Sequence, residues 1–335
     1  MTEPLPYPRV LAPEAHGPEH VALDTEGRIL TGTADGAVRR LTLSPARDRA
    51  GSEVIARTGG RPLGLAPSPD GGVLVCDARR GLLAVSPADG AVRVLADEVD
   101  GEPLRFCSNV AVAADGTVYF TVSSRRYALE AWLGDILEHR GTGRLLRLTP
   151  GGRPEVLLDG LQFANGVALA EDESFVAVVE TGAYRISRLW LTGPRAGRRD
   201  TLLGGLPGFP DNLTRGPGGL FWVALAGPRE PAVDWLHRAS PAVRRAAWRA
   251  VRRFAPGPRP TVRILAVGAD GRVAHHLVHR RSPYRMATSV CVTGRHLVLG
   301  SLVERGVAVC DLGSPPVPGP QPGPGSGAQG TIAST

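Results

Sequence analysis

Short runs of apolar residues alternate with Asp/Gly turns from near the start of the chain to about residue 312. Inside each run, apolar and polar residues alternate with a period of two, which predicts β-strands rather than helices. The runs group into a recurring unit, in which two strands flank an Asp/Gly turn and a third strand follows a glycine. The first copy reads EHVALDTEGRILTGTADGAVRRLTL, at residues 19–43. This pattern predicts an all-β fold.

Six copies of the unit follow one another, and their spacing identifies the architecture. Successive starts are separated by 44, 45, 57, 46 and 77 residues. A period in the mid-forties with several strands per unit is typical of β-propeller blades, and the two long gaps would hold insertions. We therefore predict a six-bladed β-propeller over residues 17–312. The copies begin at Glu19, Leu63, Ser108, Asn165, Asp211 and Thr288.

Three segments fall outside the repeat. Residues 1–16 contain the segment RVL at 9–11, which we expect to add the outer strand to the last blade and close the ring. Residues 229–258 form a predicted helical insertion in blade five. The stretch 313–335 is rich in proline and glycine, and we expect it to be a disordered tail.

The helical insertion in blade five has two interpretations. Its apolar residues fall on one helical face, opposite a basic face. The apolar face comprises Val243, Ala247, Val251 and Phe254, and the basic face comprises Arg244, Arg245, Arg249, Arg252 and Arg253. One interpretation is peripheral contact of residues 235–254 with anionic lipid. The other, which we favour, is a helix packed across one mouth of the propeller with its arginines in solvent.

Composition excludes several classes of protein. Hydrophobic residues make up 42% of the 335, enough for a large core, whereas 43 glycines and 30 prolines are too many for a helical bundle. No run approaches 18 apolar residues, so we predict no transmembrane helix. The N-terminal sequence MTEPLPYPRV has no apolar segment of the signal-peptide type, which predicts a cytoplasmic protein.

The formal charge of +7 does not indicate a nucleic-acid partner. All 39 basic residues are arginine, which is typical of coding bias in a GC-rich genome. These arginines are scattered and aromatic residues make up only 5%, so we predict no nucleic-acid binding. Because lysine is absent from the sequence, no Schiff-base mechanism is open to the chain. The four cysteines lack CxxC spacing, and we expect buried thiols rather than a zinc site or disulfides.

Equivalent starts of the innermost strands converge on a propeller's axis, so polar residues there are candidate ligands. Two carboxylates, Glu19 and Asp211, and the carboxamide of Asn165 meet in this alignment. Together they form an oxygen-rich set suited to a hard cation such as Ca²⁺. The alternative is that Asn and Asp simply favour the turns that precede strands. Both interpretations remain open at this point.

Several longer motifs resemble one family. They include RPLGLAPS at 61–68, GEPLRFCSNVAVAADGTVYFTVSS at 101–124, GDILEHRGTGRLLRL at 134–148, DGLQFANGVAL at 159–169 and LPGFPDNL at 206–213. The chain resembles the strictosidine synthase-like branch of the senescence marker protein 30/gluconolactonase propellers. Within that branch it is similar to the adipocyte plasma membrane-associated protein and its bacterial relatives. The resemblance implies a six-bladed propeller that hydrolyses lactones or aryl esters with one divalent cation in the channel.

The resemblance also implies roles for individual residues. The family's metal ligands fall on Glu19, Asn165 and Asp211, and Asp211 is also the implied catalytic base. The fourth ligand position holds Ser108, where relatives have Asn, and the alternative Asn109 should face away by strand alternation. The cation is expected to be Ca²⁺, with Zn²⁺, Mn²⁺ or Mg²⁺ as alternatives. It would polarise the carbonyl and activate water.

Two further departures from the family bear on activity. Relatives read YFTDSS where this chain reads YFTVSS, so Val122 replaces an Asp. Strictosidine synthases carry a catalytic Glu at the start of the last blade, where this chain has Thr288, so that condensation is not expected. In the cluster of His275, His276 and His279, His275 and His279 share a strand face but have no apparent third ligand, so we interpret the cluster as part of an outer strand. Three functions stay open: a metal-dependent hydrolase of lactones or esters, a binding or scaffold propeller, and a biosynthetic cyclase or isomerase.

Overall fold

Six sheets form the body of the protein, in a computed structural model that describes residues 2–252 and 257–316; each has four antiparallel strands, and one gains a short fifth strand. In five of the sheets the strands follow sequence order, from the inner strand outward. This arrangement confirms the predicted all-β, six-bladed propeller. Tail residues 317–335 lie outside the described residues, as do Arg253 and Phe254 of the predicted insertion.

The strands of each blade are given from the inner to the outer edge. Blade one contains Val21–Leu23, Ile29–Gly32, Ala37–Leu43 and Ala50–Arg57. Blade two contains Pro62–Pro67, Val73–Asp77, Gly81–Val85 and Val92–Ala96. Blade three contains Cys107–Val112, Val118–Val122, Gly143–Leu148 and Glu155–Leu161. Blade four contains Ala164–Leu169, Phe175–Glu180, Arg185–Trp190 and Arg199–Leu203. Blade five contains Gly208–Arg215, Phe221–Pro228, Thr261–Val267 and Val273–Arg280. Blade six contains Ala287–Thr293, His296–Ser301, Arg305–Asp311 and Arg9–His16.

The outer strand of blade six comes from the start of the chain. Arg9–His16 pairs antiparallel with Arg305–Asp311, for example Val10 opposite Ala308. Leu11 packs in an apolar cluster with Val21 of blade one and Val307 of blade six. A shorter strand, Glu3–Pro4, pairs parallel with the outer strand of blade five. An N-terminal strand therefore completes the sheet of the last blade, which closes the ring.

The core consists of apolar layers between neighbouring blades. Because side chains alternate along each strand, each sheet presents apolar residues to both adjacent sheets. Between blades five and six, the fully buried Trp222 and Tyr284 pack with Ile264 and Leu299. The Tyr284 hydroxyl donates to the carbonyl oxygens of Leu299, at 3.2 Å, and Gly306, at 3.1 Å.

Three α-helices cover the mouth of the channel at which the inner strands begin. Helix α1, Trp132–Glu138, lies in the insertion of blade three, while α2, Pro231–Arg238, and α3, Pro241–Val251, form the insertion of blade five. Proline at the first position of α2 and of α3 has no N–H to leave unpaired, which favours a helix start. We call α1, α2 and α3 the helical cap. Single-turn 3-10 helices occur at Leu129–Ala131, Thr181–Ala183, Gly193–Arg195 and Pro217–Gly219, and a two-residue hairpin pairs Glu98–Val99 with Glu102–Pro103.

The face that α3 turns toward the propeller differs from the predicted one. Val243 is 41% exposed, although the helical pattern placed it on the buried face. Trp248 instead packs edge-on against Tyr127, with ring centroids 6.0 Å apart. Arg244, predicted to be solvated, donates from Nη1 to the carbonyl oxygen of His139 at 3.1 Å. The large indole of Trp248 buries more apolar surface than Val243 would, and it determines the rotation of the helix. Among the described residues, no helix is long and apolar enough to cross a membrane.

Candidate active site

The six positions aligned from the repeat lie at or next to the starts of the inner strands. Five of them carry buried polar side chains, at the channel mouth under the helical cap: Glu19, Ser108, Asn165, Asp211 and Thr288. In blades one, three, four and six, the residue two positions earlier has a left-handed backbone. These residues are Gly17 (φ 57°), Phe106 (φ 57°), Phe163 (φ 59°) and Met286 (φ 49°). Non-glycine residues adopt this conformation rarely, so the entry to these strands is tightly specified by the fold.

A β-bulge follows the entry in five blades. The pairing between inner and second strand shifts register between Cys107 and Val110, and between Ala164 and Val167. The equivalent shifts occur in blades two, five and six. A bulge leaves its extra residue outside the ladder and re-aims the side chains there. In blades three and five, two consecutive side chains consequently make contacts with other blades at the mouth.

The first of two polar layers links three neighbouring blades. Ser108 Oγ donates to Asn165 Oδ1 at 3.1 Å, and Asn165 Nδ2 donates to Asp211 Oδ1 at 2.7 Å. Thr181 Oγ1 lies 3.4 Å from the same Asn165 nitrogen. The structure therefore brings together three of the four predicted side chains through direct hydrogen bonds. We call this chain of contacts the upper layer.

The second layer crosses the channel and includes the fourth predicted residue. Asn109 Nδ2 donates to Asn212 Oδ1 at 2.5 Å, and Asn212 Nδ2 donates to Glu19 Oε1 at 2.6 Å. These residues belong to blades three, five and one, so the chain of contacts spans the ring. We call it the lower layer. The expectation that Asn109 faces away is wrong, because strand alternation does not hold through the bulge.

Two glycines make room for the lower layer. A Cβ on Gly64 would lie 2.5 Å from the Cα of Asn109, and one on Gly166 would lie 2.7 Å from the Cα of Asn212. Each glycine thus lets the next inner strand approach closely. The repeat analysis missed Asn212, although the pairs Ser108–Asn109 and Asp211–Asn212 recur at the starts of alternate blades. That recurrence is the signal that could have identified it.

Burial of two carboxyl groups dominates the electrostatics. Desolvation raises the pKa of Glu19 to about 7, although the hydrogen bond from Asn212 and the charge of Arg61 lower it. Desolvation and the negative charge of Glu19 together raise the pKa of Asp211 well above its usual range, against the hydrogen bond from Asn165. Two buried carboxylates that repel each other favour either a bound proton or a cation.

Two further buried residues next to this site were not predicted. Arg61 donates from Nη2 to the carbonyl oxygen of Gly17 at 2.8 Å, and desolvation lowers the pKa of this guanidinium. His20 Nδ1 accepts from the backbone N–H of Leu65 at 3.2 Å, and burial lowers the pKa of His20 to about 4. His20 and Asn109 line a cavity of about 370 Å³ at the opposite end of the channel. The two layers therefore separate this cavity from the mouth under the cap.

The donor set fits a hard divalent cation. Glu19 Oε2 is buried and has no hydrogen-bond partner among the described residues. The site offers two carboxylates, the carboxamide oxygen of Asn165 and the hydroxyl of Ser108, all oxygen donors of the kind that Ca²⁺ prefers. Among residues 2–252 and 257–316 no three His, Cys, Asp or Glu side chains cluster in the manner of a transition-metal site. A cation here would therefore rest on two charged and two neutral oxygen ligands.

An apolar collar lies between the polar layers and the helical cap. We define this collar as Leu63, Phe106, Phe163 and Phe209; each Phe stands two residues before a polar residue of the upper layer. The rings of Phe106 and Phe163 meet edge-on, with centroids 5.4 Å apart. Ile136 of α1 and Val233 of α2 pack on the collar. A ligand above the upper layer would contact aromatic surface.

The remaining residues singled out from the sequence take no part in the side-chain hydrogen bonds that build the two polar layers. Val122 is buried in an apolar cluster with Cys107 and Phe120, so it is a core residue. Thr288 Oγ1 donates to the carbonyl oxygen of Glu19 at 2.5 Å. The four cysteines are free and buried. The histidine cluster lies in the outer strand of blade five, where His279 Nδ1 is 2.9 Å from the carbonyl oxygen of Leu5.

Fold and site together define a class: a six-bladed propeller with buried carboxylates at one mouth of its axial channel. Comparison with known proteins then gives the family. The family model described as "Strictosidine synthase" matches residues 108–194, and the one described as "Strictosidine synthase-like, N-terminal" matches residues 9–41. The chain belongs to the strictosidine synthase-like family, which confirms the resemblance seen in the motifs.

Curated relatives match over most of the propeller. The chain is 34% identical to strictosidine synthase-like protein 6 of Arabidopsis thaliana, over 89% of this chain and 79% of that protein. It is 39% identical to strictosidine synthase-like protein 10 of Arabidopsis thaliana, over 63% of this chain and 61% of that protein. It is 35% identical to the adipocyte plasma membrane-associated protein of Rattus norvegicus, over 65% of this chain and 61% of that protein.

Solved structures share the fold at low sequence identity. A calcium-binding protein, regucalcin, from Agrobacterium tumefaciens superposes with a TM-score of 0.63 at 15% identity, covering 93% of this chain and 95% of that one. A gluconolactonase from Xanthomonas campestris superposes with a TM-score of 0.58 at 16% identity, covering 92% and 87%. At these identities the likeness establishes the propeller fold.

Proposed function

We propose that the protein hydrolyses lactones or esters with a divalent cation, most readily Ca²⁺, at the channel mouth. The observation that carries this proposal is the pair of buried carboxyl groups, Glu19 and Asp211, beside the carboxamide of Asn165. The gluconolactonase and the calcium-binding regucalcin that share the fold support both the reaction class and the cation. When bound, the cation supplies Lewis-acid polarisation of the substrate carbonyl.

The protein's own side chains would hold and activate the reactants. Glu19, Asn165, Asp211 and Ser108 would hold the cation. Asp211 would also act as the general base, as a carboxylate of the upper layer next to the bound cation. The hydrogen bond from Asn165 Nδ2 to Asp211 Oδ1 leaves Asp211 Oδ2 to take a proton from water.

The collar would select the substrate. An ester or lactone with its carbonyl at the upper layer would place its apolar part against Phe106, Phe163 and Phe209. Aromatic surface favours acyl chains and aryl leaving groups through burial of apolar area. The cap, which packs on the collar, would exclude bulk water from the reacting carbonyl.

The test compares wild type with Asp211→Asn and with a matched variant, Asp97→Asn, whose side chain is exposed. Each protein is assayed on an aryl acetate and a δ-lactone with Ca²⁺, Zn²⁺, Mn²⁺ or Mg²⁺, and its Tm is measured with calcium and with chelator. We expect Asp211→Asn to reduce hydrolysis on the order of 10²-fold or more, the usual effect of losing a general base. Asp97→Asn should retain wild-type rates. Calcium should raise the wild-type Tm.

A second function, a binding or scaffold propeller without catalysis, has one observation in its favour. Apart from Glu19 Oε2, the side chains of both layers already pair with one another, from Ser108 through Asn165 to Asp211 and from Asn109 through Asn212 to Glu19. Absence of hydrolysis on both substrates, together with a Tm that no cation changes, would favour this function over the hydrolase. The presence of Thr288 in place of a carboxylate argues against strictosidine synthesis.

A further inference from the structure

The outer face of α2 and α3 presents apolar side chains to solvent. Trp235 of α2 is 64% exposed and Val243 of α3 is 41% exposed, which are large fractions for these residue types. Three alanines are also exposed on this face: Ala242, Ala246 and Ala250. These helices cover the channel mouth, so the face lies on the far side of the cap from the collar.

Unneutralised arginines surround these apolar residues. Arg238, Arg249 and Arg252 are exposed, and none of them forms an ion pair within the part of the chain that the structure describes. The two acidic residues near α2 are already paired: Asp234 lies 3.2 Å from Arg229, and Glu230 lies 3.0 Å from Arg259. The face therefore combines positive charge with exposed apolar surface.

We propose that this face docks on an anionic phospholipid surface. Tryptophan lies favourably at the boundary between headgroups and acyl chains, where the indole ring buries its apolar area and keeps its N–H in a polar layer. Arginine guanidinium groups beside it bind lipid phosphates, and each contributes through the negative surface potential. The small alanine side chains leave the helices flat enough to lie in the plane of the headgroups.

Docking would place the channel mouth against the bilayer. Leu236, in the same helix as Trp235, is buried, and Val233 packs on the collar. One face of α2 thus contacts the site while the other contacts lipid. If the proposed hydrolysis holds, its substrates are apolar esters or lactones that partition into membranes. The docking itself does not depend on that reaction.

Vesicle sedimentation tests the proposal with the full-length chain. Vesicles of phosphatidylcholine alone are compared with vesicles that also contain phosphatidylserine. We expect binding only to the anionic vesicles, and weaker binding as salt is raised. Each arginine contributes about 1 kcal/mol to binding, which corresponds to about a fivefold change in Kd. The affinity of the triple variant Arg238→Ala, Arg249→Ala, Arg252→Ala for anionic vesicles should therefore fall on the order of 100-fold. A matched triple variant, Arg93→Ala, Arg153→Ala, Arg198→Ala, removes the same charge from other blades.

Quenching of tryptophan fluorescence by spin-labelled lipid identifies the contacting residue. Anionic vesicles that contain the spin-labelled lipid should quench the tryptophan fluorescence of the wild-type protein. The Trp235→Ala variant should lose most of that quenching. If the two triple variants bound anionic vesicles with equal affinity, the loss of binding would follow from net charge alone, and the proposal would be overturned. Binding to poly-glutamate but not to vesicles would identify an acidic protein as the partner instead. Self-association without lipid that Trp235→Ala abolishes would assign the face to a second copy of the chain.

Discussion

Ionisation of Glu19 opposes folding, because its carboxyl group is buried away from water. The pKa of Glu19 is raised from 4.5 to about 7 in the folded protein, chiefly by desolvation. Between these values the folded state keeps a proton that the unfolded state has released. The free energy of unfolding of the metal-free protein should therefore fall as pH rises through this interval, by about 3 kcal/mol.

Thermal unfolding in the presence of chelator, from about pH 5 to about pH 8, measures this dependence. Glu19→Gln should shrink the fall in Tm, because the amide has no proton to lose. Glu14→Gln is the control, since Glu14 is exposed and should leave the wild-type slope unchanged. A wild-type slope in Glu19→Gln would mean that other groups cause the pH dependence.

Ser108 offers a test of the cation site by gain of affinity. Its hydroxyl contacts Asn165 Oδ1 at 3.1 Å, so a carboxamide oxygen at this position would reach the same site. Ser108→Asn should tighten calcium binding on the order of tenfold, while Ser108→Ala, which removes the ligand, should weaken it. Isothermal titration calorimetry measures both. Equal affinities in the two variants would remove Ser108 from the ligand set.

The repeat in the sequence predicts the upper layer but only part of the lower one. Aligned strand starts suffice to place Glu19, Ser108, Asn165 and Asp211 at one mouth. They do not place Asn109 or Asn212, because a period of two assigns alternate residues to opposite faces of a strand. A bulge breaks that period, and no particular residue type in the sequence marks the bulge. The hydrogen bonds across the channel depend on this local break.

Packing between α1 and α3 depends on one glycine. A Cβ on Gly134 of α1 would lie 2.6 Å from Tyr127 Cε1 and 2.9 Å from Trp248 Cε2. Gly134→Ala should therefore displace α3 and cost about 1–3 kcal/mol by overpacking, against about 1 kcal/mol gained in helix propensity. The Tm should fall by a few degrees. Gly204→Ala, whose nearest contact would be 3.6 Å, should change it little.

A Gly134→Ala variant with the wild-type Tm and unchanged near-ultraviolet circular dichroism would show that the aromatic rings move aside freely. The sequence predicts the orientation of α3, that is, which of its faces packs on the propeller, less well than any other feature of the fold. A helical period of 3.6 defines two faces, and both contain apolar residues here. The absence of a side chain at Gly134 of α1 leaves room for the large indole of Trp248, so Trp248 rather than Val243 turns inward.

Closure of the ring makes the N-terminal strand part of the whole molecule's stability. Leu11 is 6% exposed and packs between blades six and one, whereas its neighbour Val10 is 43% exposed. Leu11→Ala should cost about 2–3 kcal/mol and lower the Tm of the entire propeller by about 4–6 °C. Val10→Ala should cost far less. Two separate unfolding transitions in Leu11→Ala would contradict cooperative closure.

The architecture follows from the sequence more directly than the site does. Six copies with turn residues at fixed offsets are sufficient to count the blades, because each copy supplies one sheet with its own apolar faces. Insertions of any length between the second and third strands leave that count unchanged, as in blades three and five. Tertiary contacts between those insertions carry no such periodic signal.

The lower layer determines how small molecules can enter and leave the axial channel. Its carboxamide bridge runs from blade three to blade five to blade one, so the mouth beneath the cap ends in a floor and is not one end of an open pore. A molecule that enters past the collar must therefore leave through the same mouth of the channel. If the proposed hydrolysis holds, the hydroxy acid from a lactone, or the acid and alcohol from an ester, would occupy the passage that the next substrate needs. Competitive inhibition by the product is the kinetic pattern expected of a site that is closed at one end.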